Sequence, residues 1–404
     1  MAQRFDSIII GGGMVGMATA IALAEAGLHI AVVERTPPPQ QLEDRFDGRV
    51  SAISLGSKRL LEQIGAWQHL SPHAQPIADI RVVDNFSNAF LHYDHREVGD
   101  DPFGWIVQNR HIRAGLFQRA EVLKAKLHLF TPAETVAVDE QPGHVAAHLK
   151  DGTVLHAPLL IAADGKHSQT RARVGIDTVQ WNYPHQAIVC TIAHSAPHHG
   201  LALERFFPVG PFAVLPMQNN QSSLVWTEPQ DVAEALLALN EDELTEEIQS
   251  RIGGYLGEIE VAGPRFTYPL TLVHAQHYTK PRVALIGDAA HGIHPIAGQG
   301  VNLGFRDVAA LSEVLVEAHR LGMDLGSATT LAGYDKWRRF DAVTMTAVTD
   351  GLTRLFSNNH APLAFARRAG LRIVSILPGT KQFFMKHAMG TVGDLPKLMR
   401  GEAL

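Results

Sequence analysis

Cysteine is almost missing from this chain. Cys190 is the single one in 404 residues, so no internal disulfide can form, which fits a reducing compartment. No uninterrupted apolar run approaches the ~20 residues of a membrane-crossing helix. The run after the N-terminus is too short and too glycine-rich for a secretory leader. A cytoplasmic protein is expected, peripheral to the inner membrane at most. A basic excess is missing too: 35 Lys and Arg stand against 41 Asp and Glu, a net charge of −6. That argues against nucleic acid as a partner. There is no internal repeat and no low-complexity tract. The 22 histidines are scattered and form no pattern with carboxylates or cysteine, so no metal site is expected.

What is present is an ordinary globular composition, 46% apolar and 19% charged, long enough for a large core. Near the N-terminus, the apolar run Ser7-Ile8-Ile9-Ile10 reads as a buried parallel strand. Gly11, Gly13 and Gly16 follow at Gly-x-Gly-x-x-Gly spacing, with Val15 between the last two. Residues 17–26 read as a small-residue helix, and residues 28–33 as a second strand closing on Glu34 and Arg35. Strand, glycine loop, helix, strand and acid make up the βαβ unit that binds a dinucleotide. In it Gly11 permits the turn, Gly13 lets the backbone approach a pyrophosphate, Gly16 allows close packing, and Glu34 accepts from ribose hydroxyls. This motif alone does not separate NAD from FAD.

Two later segments add to it. A buried-type strand at 159–163 ends in Asp164-Gly165, with Arg171 within helical reach of Ser168. This is either a plain turn or a loop that holds the chain near cofactor phosphates, with Arg171 supplying charge. An apolar strand at 283–286 then runs into Gly287-Asp288. A Pro/Gly-rich loop carries His291, Pro295, Gly298, Gly300, Val301 and Asn302 into a helix over about 301–319. A strand that delivers a carboxylate to a loop, with a helix N-terminus behind it, can hold a sugar hydroxyl and face an electron-rich ring.

Between these segments the pattern changes. Short alternating strands are expected at 187–192, 202–207, 212–215 and 222–226, and one helix over about 232–252. The fold class is therefore α/β: a Rossmann-like dinucleotide-binding unit with a parallel βαβ sheet, an inserted antiparallel-sheet unit, and a helical C-terminal region. The expected division is 1–76, 96–182 and 271–325 for the nucleotide unit, 77–95 and 183–270 for the inserted sheet, and 326–404 for the helical region.

The three motifs, in this order, resemble the flavin-dependent aromatic hydroxylases of the p-hydroxybenzoate hydroxylase class. Within that class the chain most resembles the ubiquinone-biosynthesis hydroxylases. The marks are Asp47-Gly48-Arg49-Val50-Ser51-Ala52-Ile53-Ser54, Gln108-Asn109-Arg110, Gly210-Pro211-Phe212-Ala213-Val214-Leu215-Pro216, Ser223-Leu224-Val225-Trp226-Thr227, Tyr268-Pro269-Leu270, and the run from Gly287 through Gly304 to Arg306-Asp307. The likeness spans nearly the whole chain and is weakest after about residue 350.

The resemblance implies FAD as resident cofactor and NAD(P)H as a transient reductant. Gly11, Gly13 and Gly16 would meet the pyrophosphate, Glu34 the adenosine ribose, and Arg49 with Gln108 the ribityl-pyrophosphate portion. Asp164 would serve both nucleotides, Asp288 the ribityl chain, and the backbone of Gly300, Val301 and Asn302 the isoalloxazine. Val15, Arg35, Arg110, Gly165 and Gly298 complete the expected cofactor set. O2 would supply the oxygen placed on a polyprenylated phenol. His291 and Pro295 are the candidate catalytic residues, and Phe206, Phe212 and Leu215 the candidate lining of an apolar channel. The basic and apolar stretch at 367–386 is a candidate contact for a membrane or a quinone-biosynthesis assembly, or else a core helix with a basic edge. A homo-oligomer stays open. Two other functions compete: hydroxylation of a small soluble phenol, and a non-catalytic flavin-binding subunit.

Overall fold

The computed structural model describes residues 3–38, 48–84, 90–292, 300–339, 341 and 378–404. Its centre is a six-stranded sheet. In spatial order the strands are Thr279–Lys280, Val283–Leu285, Leu160–Ala162, Ser7–Ile10, Ile30–Val33 and Leu127–Phe130. All neighbours pair in parallel except the first two. These short runs are apolar on both faces because helices and loops cover both sides. The helix Met14–Glu25 is alanine-rich and buried over most of its length. Such a helix has no polar face to show and belongs inside, where it packs on the helix Gly300–Arg320.

A nine-stranded sheet forms the second layer. Its main path runs His291–Gly292, Phe266–Ala275, Thr178–His194, Gln221–Pro229, Gly210–Met217, Leu201–Phe207, Asp79–Asp84 and Phe90–Asp94. Antiparallel pairing dominates, and Leu201–Phe207 lies parallel to Asp79–Asp84. Side chains alternate across such a sheet. One face, with Ile188, Cys190, Phe212, Val214, Leu224 and Trp226, is covered by helices Gln230–Ala238 and Glu241–Ile252. The other face, with Ala202, Phe206 and Met217, packs on Leu55, Ile106 and Met385. The sheet is thus pinned between its own helices and the nucleotide-binding half.

The single helix expected over 232–252 is two helices. Asn240 breaks it: its side chain accepts from the Glu243 backbone N–H at 2.9 Å, and the Glu243 side chain accepts from Asn240 N at 3.0 Å. That reciprocal box starts a new helix more favourably than the old one continues.

Candidate active site

The glycine loop is set by space. Gly11 has φ +104°, and any Cβ there would strike the backbone of Ala163. Gly16 is just as closed, against the backbone of Gly11. Gly13 differs, since a Cβ on it would meet no atom within 4 Å. The open side of Gly13 lies at the start of the helix Met14–Glu25, which has no side-chain cap. The first-turn N–H groups are left for an outside acceptor, and the helix dipole favours an anion there. Glu34 folds back on the loop, accepting from Gly12 N at 2.7 Å and Thr36 N at 2.8 Å. Gly11, Gly13, Glu34, Arg35, Asp164 and Arg173 share one cleft. These groups fit the phosphates and ribose of FAD.

Asp164 organises its own turn. It accepts from Ser168 Oγ at 2.5 Å and from Thr170 N at 3.0 Å. Gly165 holds φ +83° in that turn. Arg171 does not supply charge to a phosphate, as expected from the sequence. Its guanidinium is buried and donates to the carbonyls of Ala289 at 2.8 Å and Lys166 at 3.1 Å. It ties the Asp164 loop to the Asp288 turn.

Gly287 turns the chain at φ +57°, and Asp288 follows on a solvent-exposed position. Crowding by protein raises the Asp288 pKa through desolvation, while His291 and Lys166 pull it down. Exposure and crowding are compatible when a carboxylate lines a recess. Lys166 donates to Thr271 O at 2.7 Å, and burial lowers its pKa against the pull of Asp288. Gly300 again faces open space. Asn302 staples two segments, its Nδ2 donating to Ala52 O at 2.7 Å and its Oδ1 accepting from Ser54 N at 3.0 Å. Val301 is half-buried beside it. Val15 packs against Gly287 and Gly304 and spaces the first motif from the third.

Arg49 lies 5.7 Å over the Tyr268 ring. Gln108 accepts from Arg110 Nε at 2.7 Å. Gln108 and Arg110 line a polar recess with His73, His111 and Gln221 rather than the glycine cleft. His111 stacks on His73 at 3.9 Å, and its pKa falls to about 4 through burial, then through His73 and Arg110.

Two expected site residues change role. His291 is 2% exposed and its Nε2 is 2.6 Å from Asp307 Oδ2, so it sits inside a buried ion network rather than at a substrate surface. Phe212 is fully buried under the two helices, against Trp226 and Phe207. Phe206 and Leu215 lie on the opposite face. The period of two separates them, because Phe206 pairs with Pro211, not Phe212. Pro295 and Gly298 lie outside the described residues.

The sequence reading gave no role to Asp307. It is fully buried and accepts from Gly287 N at 2.8 Å, His291 Nε2 and Arg338 Nε at 2.7 Å. Burial alone would raise its pKa, but His291 and Arg338 outweigh it and hold it low. Arg338 also pairs with Asp341, which accepts from Arg306 Nη1 at 2.8 Å. This chain of charges fixes the turn that presents Asp288. The signal was a lone acid on the apolar stripe of the helix Gly300–Arg320, since a carboxylate there needs a partner.

Comparison with known proteins agrees with this geometry. A family model described as an FAD binding domain matches residues 4–347. The chain is 47% identical over 402 residues to ubiquinone hydroxylase UbiL of Rhodospirillum rubrum, covering 99% of this chain and 93% of that one. It is 35% identical to 3-demethoxyubiquinol 3-hydroxylase of Escherichia coli, covering 96% and 99%. In fold it is similar to p-nitrophenol 4-monooxygenase PnpA of Pseudomonas putida, with TM-score 0.80, 18% identity and coverage of 98% and 100%. With a family match over most of its length and relatives that span it end to end, the chain belongs to the FAD binding domain family and is an FAD-dependent monooxygenase.

Proposed function

We propose that the protein uses NAD(P)H and O2 to hydroxylate the aromatic ring of a polyprenylated phenol in ubiquinone biosynthesis. The observation that carries this reading is the near full-length likeness to UbiL at 47% identity. The geometry supports it with a sheet face, carrying Phe206 and Leu215, turned toward the segment that Asn302 staples. FAD, when bound, supplies the redox chemistry between nicotinamide and O2.

The chain's own residues position and shield. Gly13 and the open helix start hold the pyrophosphate, Glu34 the ribose, and Asp288 the ribityl chain. Arg171 ties the Asp164 loop to the Asp288 turn, and Lys166 anchors that loop on Thr271, so the backbone that would face the ring is held in place. Phe206 and Leu215 line the apolar approach and keep water from the reacting ring. Gly13→Ala puts a methyl into the phosphate space, and FAD affinity is expected to fall about tenfold or more.

A peripheral contact belongs to the same proposal. On the helix Pro378–Ala388, Phe383 is 53% and Phe384 38% exposed, beside Lys381 and Lys386. Among the described residues no helix is long and apolar enough to cross a membrane. Of the stretch at 367–386, residues 367–377 lie outside the described residues. Co-sedimentation with anionic liposomes should fall when Phe383 and Phe384 become Ser. The function itself is tested by quinone profiling in a strain lacking this chain. An accumulated precursor short of one ring hydroxyl is expected, and a normal quinone pool would remove the proposal.

A further inference from the structure

Glu204 is an acid on the sheet face that turns toward the nucleotide-binding half, with Asp84 on the next strand one row away. The registers place one row of residues across that face. It begins at Phe266 and continues through Val189, Val225, Ala213, Glu204, Val82 and Leu91. Every other member of the row is apolar, and the small Ala213 stands directly beside Glu204. At one end of the row the Phe266 ring lies against Gly48, at the start of the segment that Asn302 staples. Near the other end, Leu91 packs in the cluster with Met385 of the helix Pro378–Ala388 and Met389 just beyond it.

Glu204 has neither a hydrogen bond nor an ion pair among the described residues, and its side chain is half-buried. Crowding pushes its pKa up to about 7, with desolvation as the only cause. The other ionisable groups on the elements around this face do not contribute. They are Asp84 and Tyr93 on neighbouring strands, Arg49 over Tyr268, and Lys381, Lys386 and His387 on the helix Pro378–Ala388. Arg81 and Arg205 belong to the opposite face by alternation. Two buried hydroxyls on the Glu204 face are also without partners, Thr191 Oγ1 and Ser223 Oγ, and these residues sit opposite each other one row over.

A half-buried carboxyl in an apolar row, with no partner among the described residues, is costly unless a ligand supplies the partner. We propose that Glu204 is the acceptor for the phenolic hydroxyl of the aromatic substrate. The phenol O–H donates to the Glu204 carboxylate, and the proton passes to that oxygen as the ring becomes electron-rich. No electron is exchanged in this step, and the proton returns to solvent when product leaves. Since the carboxylate is the accepting form, phenol binding tightens as pH rises through about 7. The assignment rests on the reading that the substrate is a phenol.

The test uses the FAD-loaded enzyme and two probes, 2-allylphenol and its methyl ether 2-allylanisole, with calorimetry at about pH 6 and about pH 8. The ether has the same shape and no hydrogen to donate. Wild type is expected to favour the phenol by about tenfold at the higher pH, and by less at the lower one. Glu204→Leu is expected to bind both probes alike. Glu204→Gln keeps an acceptor, so it should retain a preference that no longer changes with pH. If Glu204→Leu does not fold, the Gln variant decides. Unchanged discrimination in the Leu variant, or an unchanged pH response in the Gln variant, overturns the role of Glu204 and leaves the phenol reading intact. A wild type that prefers the ether, or binds neither probe, overturns both.

Discussion

Asp307 and Glu204 are both crowded carboxylates, and they sit in opposite situations. Asp307 has three donors, from Gly287, His291 and Arg338, and its pKa is held low. Glu204 has none among the described residues, and its pKa rises to about 7. Burial acts the same way on each, since it penalises the charged form. Partners decide the outcome. Where the protein supplies them, the carboxylate fixes a turn, as Asp307 does for the Asp288 loop. Where it does not, the group is left for something that binds. A partnered buried acid therefore marks architecture, and an unpartnered one on an apolar face marks recognition.

The contrast can be broken at several points. Asp307→Asn has the largest expected effect. It leaves Arg338 with a buried charge balanced only by Asp341, and breaking such a pair costs about 3–5 kcal/mol. Denaturant unfolding should show this loss together with reduced FAD content. The Asp307 pKa is lowered in the fold, so its stabilising contribution is present above the usual aspartate value and is lost as pH falls below about 3.8. Wild type should lose stability through that acid range, while the Asn variant should change less.

Glu204→Gln should move the other way. An acid whose pKa is raised in the fold binds more protons folded than unfolded between about 4.5 and about 7. Wild-type stability therefore falls as pH rises through that window. The Gln variant is expected to match wild type at low pH. Above pH 7 it should exceed wild type by about 1–2 kcal/mol, a figure discounted for partial solvent access. Thermal melts at two pH values check this. A Gln variant less stable than wild type at high pH would mean that the carboxylate has a partner in the fold.

Ser223→Ala has the smallest expected effect on stability. Its hydroxyl is buried without a partner, so its removal should shift unfolding by less than about 0.5 kcal/mol in either direction. Ser54→Ala gives a control, since Ser54 Oγ caps the helix Leu55–Gln63. That loss should cost about 1 kcal/mol.

Much of the nucleotide site was legible because it is local. Strand, glycines, helix and Glu34 lie within residues 7–34, and their spacing is fixed by backbone geometry. Asp164 and Asp288 were legible as acids at strand ends. What held them together was not. Arg171 reaches Ala289 across 118 residues, and Arg338 reaches Asp307 across 31. The pattern marked Arg171 as charged, but it gave no hint that two carbonyls take up its donors. His291 looked like a base near a loop, and only packing showed that Asp307 occupies it. Phe206, Phe212 and Leu215 looked like one cluster, yet strand register put Phe212 on the far side.

The sequence by itself determined a dinucleotide cofactor, the βαβ unit, the alternating strands of the inserted sheet and the acids at the strand ends. Each depends on spacing within one element, which the order of residues sets. The tertiary structure decided which charges are partnered, which face of the nine-stranded sheet meets the nucleotide half, and that Glu204 lies in an apolar row of that face with no partner among the described residues. Those outcomes depend on contacts between distant segments and on the local dielectric they create, and neither is written in any short stretch of chain.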